Sequence, residues 1–170
     1  ELAGYYNMEK IWISEKGIEN KKDLIWVDLD ILPQAGRTLG GHIVKLDDNI
    51  PKGFNTSCNP NILLNLSNHD FKRKYPLSTL AFLMWLFDTK IPQKLFGKFL
   101  ILHSDAMWLK YQQYEKNFND WAELLDGYDW NRLFKDIDTI GYEKKVDQIF
   151  YPKLIHLGAI SGFSKLSSRH

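Results

Sequence analysis

Residues that favour strands and residues that favour helices occupy different halves of this chain. In the first half, segments 9–14 and 23–31 are rich in Ile, Trp and Val, which suits strands, and the polar stretch 17–22 between them predicts a turn. From Leu77 onward the pattern is mainly helical. Strands followed by helices along one chain are typical of the α+β class. The sequence therefore predicts an α+β fold with a strand-and-loop N-terminal part and a helical C-terminal part.

The size and apolar content of the chain predict one ordinary domain spanning 1–170. A chain of 170 residues with 44% hydrophobic residues has enough material to bury a core. Within that domain we expect a candidate core at 40–74, a helical part at 77–157 and a loose tail at 158–170.

Charge and cysteine content exclude several classes of protein. Lys and Arg number 22 and Asp and Glu 21, so a net charge of +1 gives no global field for coating nucleic acid, although a local phosphate-binding patch is still possible. The single cysteine, Cys58, excludes an internal disulfide framework and a cysteine-rich zinc module. A reducing, cytoplasmic location is the simpler expectation.

The longest apolar run covers 77–87 and is 11 residues long. A membrane-spanning helix needs about 20 apolar residues. The run therefore predicts a buried helix, and no membrane partner is expected.

Between Gly40 and Lys74 the pattern predicts a strand, a long loop, a second strand and a short helix. The strands are expected at 42–46 and 61–66, and the Asn-, Asp- and Pro-rich stretch 47–60 between them is the loop. A loop of that length is more often functional than idle. Ser67 is placed to cap the short helix, which stops before Pro76.

In the second half, the stretch 98–103 predicts a buried strand, because Gly97 and Ser104 bound an apolar run. Ser104 then begins a helix with Asp105 in its first turn, where a carboxylate suits the helix dipole. Further helices are expected at 130–137 and 142–155. The tryptophans and tyrosines are spaced as packing residues rather than as a base-stacking platform.

The segment 40–74 resembles the HNH, or ββα-metal, nuclease core. The resemblance lies in the sequence HIVKL at 42–46, NILLNL at 61–66, and His69 followed by Lys72, Arg73 and Lys74. The eight residues from Asn61 to His69 suit the family, whereas the nineteen from His42 to Asn61 require a loop insertion.

The resemblance implies a role for each of these residues. His42 would be the general base that deprotonates water, and Asn61 would clamp the long loop. His69 would help to hold a divalent metal, Mg²⁺ or Mn²⁺, that stabilises the leaving oxygen. Many family members carry an acidic residue immediately before the first histidine, where this chain has Gly41. The oxygen ligand would then come from Asp28, Asp30 or Asp47, and Lys72, Arg73 and Lys74 would contact phosphates.

These roles predict a metal-dependent endonuclease whose partner is nucleic acid, with DNA favoured over RNA. The alternative from another class is a non-catalytic binding or interaction domain of a larger protein. A nuclease requires His42 and His69 to converge near an oxygen ligand, whereas a binding domain would leave the two histidines apart or buried. The sequence does not determine the oligomeric state.

Two other constellations offer weaker alternatives. Asp28 and Asp30 lie on one face if 23–31 is a strand. Together with Gly40-Gly41-His42 they resemble motifs of the primase-polymerase superfamily, but the interval before His42 is short for the helices that normally intervene. Cys58, His103 and Asp105 are residue types that can form a thiol nucleophile, its base and an orienting carboxylate.

Overall fold

The computed structural model describes residues 13–14, 17–18, 25–28, 30, 37–125, 128–137 and 140–157. The predicted tail at 158–170 lies outside the described residues, as do 9–12 and most of 28–36. The chain divides into two compact units, Glu1–Lys74 and Tyr75–His170, which are described separately. The expectation of a single domain stays a prediction. Strands lie in the first unit and most helices in the second, so the α+β class is correct.

The first unit contains a small parallel sheet. Strands β1 (Ile13–Ser14) and β2 (Gly17–Ile18) form a separate antiparallel pair. In the sheet, β4 (Arg37–Leu39) lies between β3 (Ile25–Val27) and β5 (Ser57–Cys58) and is parallel to both. Trp26 lies opposite Thr38, and both side chains are buried. Leu39 lies opposite Cys58, which brings the residues after β4 beside those after β5.

The strand that includes Trp26 is shorter than the sequence predicts. It ends at Val27, and Asp28 has a left-handed backbone with φ 63°. The alternation of a strand therefore does not continue to Asp30. The prediction that Asp28 and Asp30 share one strand face is wrong for this reason.

Neither strand predicted between Gly40 and Lys74 forms. At 42–46 the backbone is irregular, because the His42 N–H donates to the Asp30 carboxylate and the Lys45 carbonyl accepts from Asn68. In place of the second strand there is a helix, α1 (Pro60–Leu63). Asn59 caps it, and Pro60 fills the first helical position, where a missing N–H sacrifices no hydrogen bond.

The short helix predicted after Ser67 is confirmed as a 3₁₀ helix, Asn68–Arg73. The Ser67 hydroxyl accepts from the His69 N–H at 3.3 Å, and the Asp70 carboxylate accepts from the Ser67 N–H at 3.2 Å. This reciprocal pair is a capping box. A second 3₁₀ turn, Phe54–Thr56, lies in the long loop ahead of β5.

The second unit is helical. Its elements are α2 (Thr79–Leu86), α3 (Leu95–His103), a 3₁₀ turn (Ser104–Ala106), α4 (Met107–Gln113), α5 (Glu115–Leu124), α6 (Trp130–Phe134), α7 (Tyr142–Lys145), a π-helical turn (Val146–Phe150) and α8 (Tyr151–His156). The helix predicted at 142–155 is therefore confirmed, with a π turn inside it. The helix predicted at 130–137 ends three residues early, at Phe134.

Aromatic side chains make much of the core of this unit. Trp108 stacks on Tyr142 at 4.4 Å between ring centroids, and Phe99 meets the same tyrosine edge to face at 5.3 Å. Phe118 and Phe134 extend the cluster. These contacts agree with the prediction that the aromatic residues serve packing. No helix among the described residues is long and apolar enough to cross a membrane.

The strand predicted at 98–103 is wrong, because these residues belong to α3. Lys98, Phe99, Ile101 and Leu102 are buried and Leu100 is exposed, which is a helical periodicity rather than a strand alternation. Gly97 does not end an element. It lies inside α3, where a Cβ atom would come within 2.7 Å of the Pro92 side chain. The glycine permits this close packing of helix against loop.

Asp105 serves a different helix from the one the sequence suggests. It and Ala106 both have left-handed backbones, with φ of 49° and 51°, so α4 begins only at Met107. The Asp105 carboxylate instead accepts from the Thr79 N–H at 2.8 Å and thereby caps α2. Ser78 caps the same helix through the Ala81 N–H. The Asp105 carboxylate therefore lies at a helix N-terminus, where it suits the helix dipole, but that helix is α2.

Asp105→Ala is expected to lower the free energy of unfolding by about 2 kcal/mol. Roughly half comes from the lost cap, and the rest from forcing alanine into a left-handed backbone. Asp105→Asn keeps an oxygen for Thr79 and tolerates that backbone, so it should change stability little. Asp105→Gly should fall between the two. Urea unfolding of the three variants checks the order, and equal stability of the alanine and asparagine variants would contradict it.

Candidate functional site

The predicted general base, His42, is paired with a carboxylate. Its Nδ1 lies 2.8 Å from Asp30 Oδ2, and its backbone N–H donates to Asp30 Oδ1 at 2.8 Å. The His42 side chain is 65% exposed and that of Asp30 is 18% exposed. Because a carboxylate accepts, the neutral imidazole carries its proton on Nδ1, and Nε2 is the basic nitrogen. The arrangement holds an imidazole in a defined orientation at the protein surface.

Asp30 is held from several sides, which fixes the position of His42. Its Oδ1 also accepts from Asn59 Nδ2 at 3.0 Å. Its backbone carbonyl accepts from the hydroxyls of Thr38, at 2.9 Å, and Ser57. Asp30 was predicted as a metal ligand, but three protein donors already bind its carboxylate. In the structure it is the partner of His42.

Two asparagines tie the His42 segment to α1. Asn61 Nδ2 donates to the Gly41 carbonyl at 2.9 Å, and Asn59 Nδ2 donates to the His42 carbonyl at 2.7 Å. Asn59 Oδ1 accepts from both the backbone and the side-chain amide of Asn61. Both asparagines are fully buried. The predicted loop clamp, Asn61, therefore contacts the residue next to His42, and Asn59 acts beside it.

Gly40 leaves room for the Asp30 carboxylate to reach His42 and Asn59. A Cβ atom on Gly40 would lie 2.2 Å from Asp30 Oδ1 and 2.7 Å from its Cγ. Those separations are far below van der Waals contact, so any side chain at position 40 must displace the Asp30 carboxylate. The glycine is a steric requirement of the His42–Asp30 pair.

Among the predicted metal ligands, Asp47 is affected by the charge of His69, which is the smallest of the influences on the Asp47 pKa. The pKa of Asp47 is lowered, first by hydrogen bonds from the backbone and side chain of Asn49 and then by the charges of Lys45 and His69. The Asn49 N–H donates to Asp47 Oδ1 at 2.7 Å. Asn68 N–H donates to the Lys45 carbonyl, which ties the His69 helix to the chain three residues after His42.

Of these two side chains, the Asp47 carboxylate is a type of donor that Mg²⁺ and Mn²⁺ prefer, whereas an imidazole such as that of His69 more often binds Zn²⁺, Ni²⁺ or Cu²⁺. Both residues are exposed, and Mg²⁺ is usually held by one or two carboxylates together with waters and substrate phosphate. The backbone N–H of Asp28, the third predicted ligand of this kind, donates to the Leu39 carbonyl at 2.7 Å. Within the described parts of the chain, no group of three or more His, Cys, Asp and Glu side chains is arranged as a complete metal site.

The predicted phosphate-binding residues lie at the end of the 3₁₀ helix Asn68–Arg73. Lys72 and Arg73 are exposed, and Arg73 is 3.5 Å from Asp70. Lys74 Nζ lies 3.8 Å above the ring centre of Phe71, which is itself 53% exposed. This basic cluster, residues 72–74, is therefore accompanied by an exposed aromatic ring.

Sequence reasoning missed Asn59 and Phe71. The Asn59-Pro60 pair is a helix-start signal, with a capping side chain followed by proline at the first helical position. Phe71 stands beside three basic residues in a capped helix, but a single exposed phenylalanine has no periodicity to distinguish it from a core residue.

The proposed cysteine triad gains no support. The His103 Nε2 is bonded to the Tyr151 hydroxyl at 2.9 Å, and burial lowers the His103 pKa. The Asp105 carboxylate caps α2. Desolvation by neighbouring atoms raises the pKa of the Cys58 thiol, which opposes the thiolate that a nucleophile requires.

Cys58 is accordingly expected to be an unreactive thiol that catalysis does not use. A raised pKa lowers the thiolate fraction at pH 8, so folded protein should react with iodoacetamide more slowly than the same protein in denaturant. Cys58→Ser should retain any hydrolytic activity of the wild-type protein. Fast alkylation of the folded protein, or loss of activity in the serine variant, would support Cys58 as a catalytic nucleophile.

Comparison with protein-family models, curated proteins and solved structures found no match to this chain.

Proposed function

We propose that this protein is a metal-dependent endonuclease that hydrolyses phosphodiester bonds, in DNA more than in RNA. The observation that carries the proposal is the exposed His42, whose ring is held by Asp30 within a segment resembling the HNH core. The resemblance lies in residue types and spacing, since the segment does not have the strand order of that core.

His42 would act as general base through Nε2. It would take a proton from a water molecule as the water oxygen attacks phosphorus, while the bond to the leaving oxygen breaks. Asp30 keeps Nδ1 protonated and stabilises the imidazolium that forms. Asn59 and Asn61 hold the backbone on either side of His42, so that the ring stays oriented.

A divalent metal, when bound, supplies charge stabilisation for the leaving oxygen. Asp47 and His69 are the residues that would hold it. Hydrogen bonds from Asn49 favour the ionised form of Asp47, which is the form that binds a cation. Lys72, Arg73 and Lys74 would bind phosphates of the same strand.

The experiment that tests the proposal is a cleavage assay on plasmid and on single-stranded DNA, with Mg²⁺, Mn²⁺ or EDTA present. Cleavage with a metal and none with EDTA supports the nuclease. An absence of cleavage under every condition would favour the alternative, a non-catalytic binding domain.

Asp47→Asn and His69→Ala are each expected to raise the metal concentration needed for half-maximal cleavage by about tenfold, or about 1.4 kcal/mol. Loss of one of two protein ligands weakens metal binding without removing the base. Asp48→Asn is the matched control, because Asp48 is an exposed carboxylate next to Asp47. A titration in which the Asp48 variant shifts as far as the Asp47 variant would rule out a specific metal site here.

A further inference from the structure

We infer that Phe71 and the basic cluster 72–74 form a binding surface for an unpaired stretch of nucleic acid, with one base stacked on the Phe71 ring. The inference deepens the proposed function and rests on it, because it names the form of substrate that the site takes. It concerns a residue outside the catalytic pair and can be tested by binding alone.

The ring of Phe71 is exposed to solvent and lies next to a positively charged side chain. It is 53% exposed, and Lys74 Nζ lies 3.8 Å from the ring centre. A single exposed phenylalanine by itself is ordinary. Here the ring lies beside basic side chains of the kind that contact phosphates, so a base would stack on the ring face that Lys74 does not cover while the basic side chains meet the backbone.

The charges around Phe71 favour a polyanion. Lys72, Arg73 and Lys74 follow it directly, and Lys45 lies on the neighbouring segment. The carboxylate within the same helix is that of Asp70, which accepts from the Ser67 N–H and lies 3.5 Å from Arg73. Within residues 70–74, three basic residues stand against one carboxylate, so this end of the helix is basic although the whole chain is nearly neutral.

The helix that carries Phe71 is anchored at its start. Ser67 and Asp70 form the capping box, and the Asn68 N–H donates to the Lys45 carbonyl. Lys45 Nζ also donates to Asn65 Oδ1 at 3.1 Å. The ring is therefore presented from a fixed backbone, which lowers the entropy lost when a base binds.

Stacking on a side chain selects for unpaired strands. In a duplex each base is already stacked on its neighbours and its faces are covered, so it reaches a protein ring only after unstacking. In a single strand every base offers a face, and stacking on an aromatic side chain is tolerant of sequence. A ring beside phosphate-binding residues thus favours single strands, loops or frayed ends over intact duplex.

The test is fluorescence anisotropy with labelled oligothymidine, oligouridine and a DNA duplex, in EDTA so that no cleavage occurs. Phe71→Leu keeps an apolar side chain but removes the ring. It should weaken binding of the single strands about tenfold and leave duplex binding nearly unchanged, whereas Phe71→Trp should bind at least as well as wild type. Comparing the thymidine and uridine strands shows whether the surface prefers DNA or RNA.

Phe87→Leu is the matched control, because Phe87 is 71% exposed and lies in the other unit of the chain. It should bind like wild type. Lys72→Gln should weaken all three nucleic acids and reduce the salt dependence of single-strand binding by about 0.7 in the log–log slope. Circular dichroism and thermal unfolding confirm that each variant is folded.

Equal single-strand affinity of wild type and Phe71→Leu overturns the inference. So does an equal loss for single strand and duplex, because the ring would then act without stacking. Wild-type protein that binds no nucleic acid also overturns it. Failure of the nuclease alone is distinguishable, since single-strand binding that depends on Phe71 would persist in a protein that cleaves nothing.

Discussion

His42→Ala is expected to abolish metal-dependent cleavage while leaving the protein folded. Loss of a positioned general base lowers rates by about 10²–10⁴-fold. The His42 side chain is 65% exposed, so its removal leaves no cavity in the core. The measurement is the single-turnover cleavage rate of DNA at saturating Mn²⁺ or Mg²⁺. Saturating metal separates loss of the base from loss of metal binding.

His156→Ala is the matched control for this change. His156 is an exposed histidine at the end of α8, in the other unit of the chain. Its removal should leave the rate unchanged. A second check is the pH–rate profile, since the limb that reports the base should disappear in His42→Ala. If His42→Ala cleaves at the wild-type rate, the base is another residue and the proposed mechanism is wrong.

Gly40→Ala is expected to reduce cleavage nearly as much as loss of His42, although Gly40 has no side chain to take part. The added Cβ would lie 2.2 Å from Asp30 Oδ1, so the carboxylate must move away from the His42 N–H and from Asn59. Overpacking of this kind typically lowers stability by about 1–3 kcal/mol. Thermal unfolding and the cleavage rate together measure the effect.

A double-mutant cycle with Asp30→Ala isolates the cause. If the alanine methyl acts by displacing the Asp30 carboxylate, Gly40→Ala should have little further effect once that carboxylate is gone. The two changes would then be strongly non-additive. Additive effects would mean that position 40 matters for another reason, and that the Asp30 contact is not what Gly40 protects.

Local features of the sequence were predictable because they depend on neighbours along the chain. The order of strand-forming and helix-forming residues gave the α+β class. Ser67, predicted as the cap of a short helix, placed the helix at 68–73 correctly, and the structure adds Asp70 as the second half of a capping box. Errors arose where one apolar run suits two structures. The stretch 98–103 reads as a strand by composition, and only its burial pattern within α3 identifies the helix.

The candidate site depends on contacts that no local pattern contains. Asp30 and His42 are twelve positions apart, and Asn59 lies seventeen positions beyond His42. They meet because β4 pairs in parallel with β5, so that the chain leaving Leu39 runs beside the chain leaving Cys58. The role of Asp105 likewise depends on a contact distant along the chain, because it caps a helix that begins 26 positions earlier.

The sequence by itself determined the fold class, the capped helix at 68–73 and the residue types that suggest a nuclease, because caps, periodicity and composition act within a few residues. The tertiary structure decided which carboxylate serves which partner. Asp30 was one of three aspartates predicted as a metal ligand, and the register of the parallel strands brings its carboxylate against His42. A carboxylate can bind a metal, an imidazole or a helix N-terminus, and only its position in space selects among them.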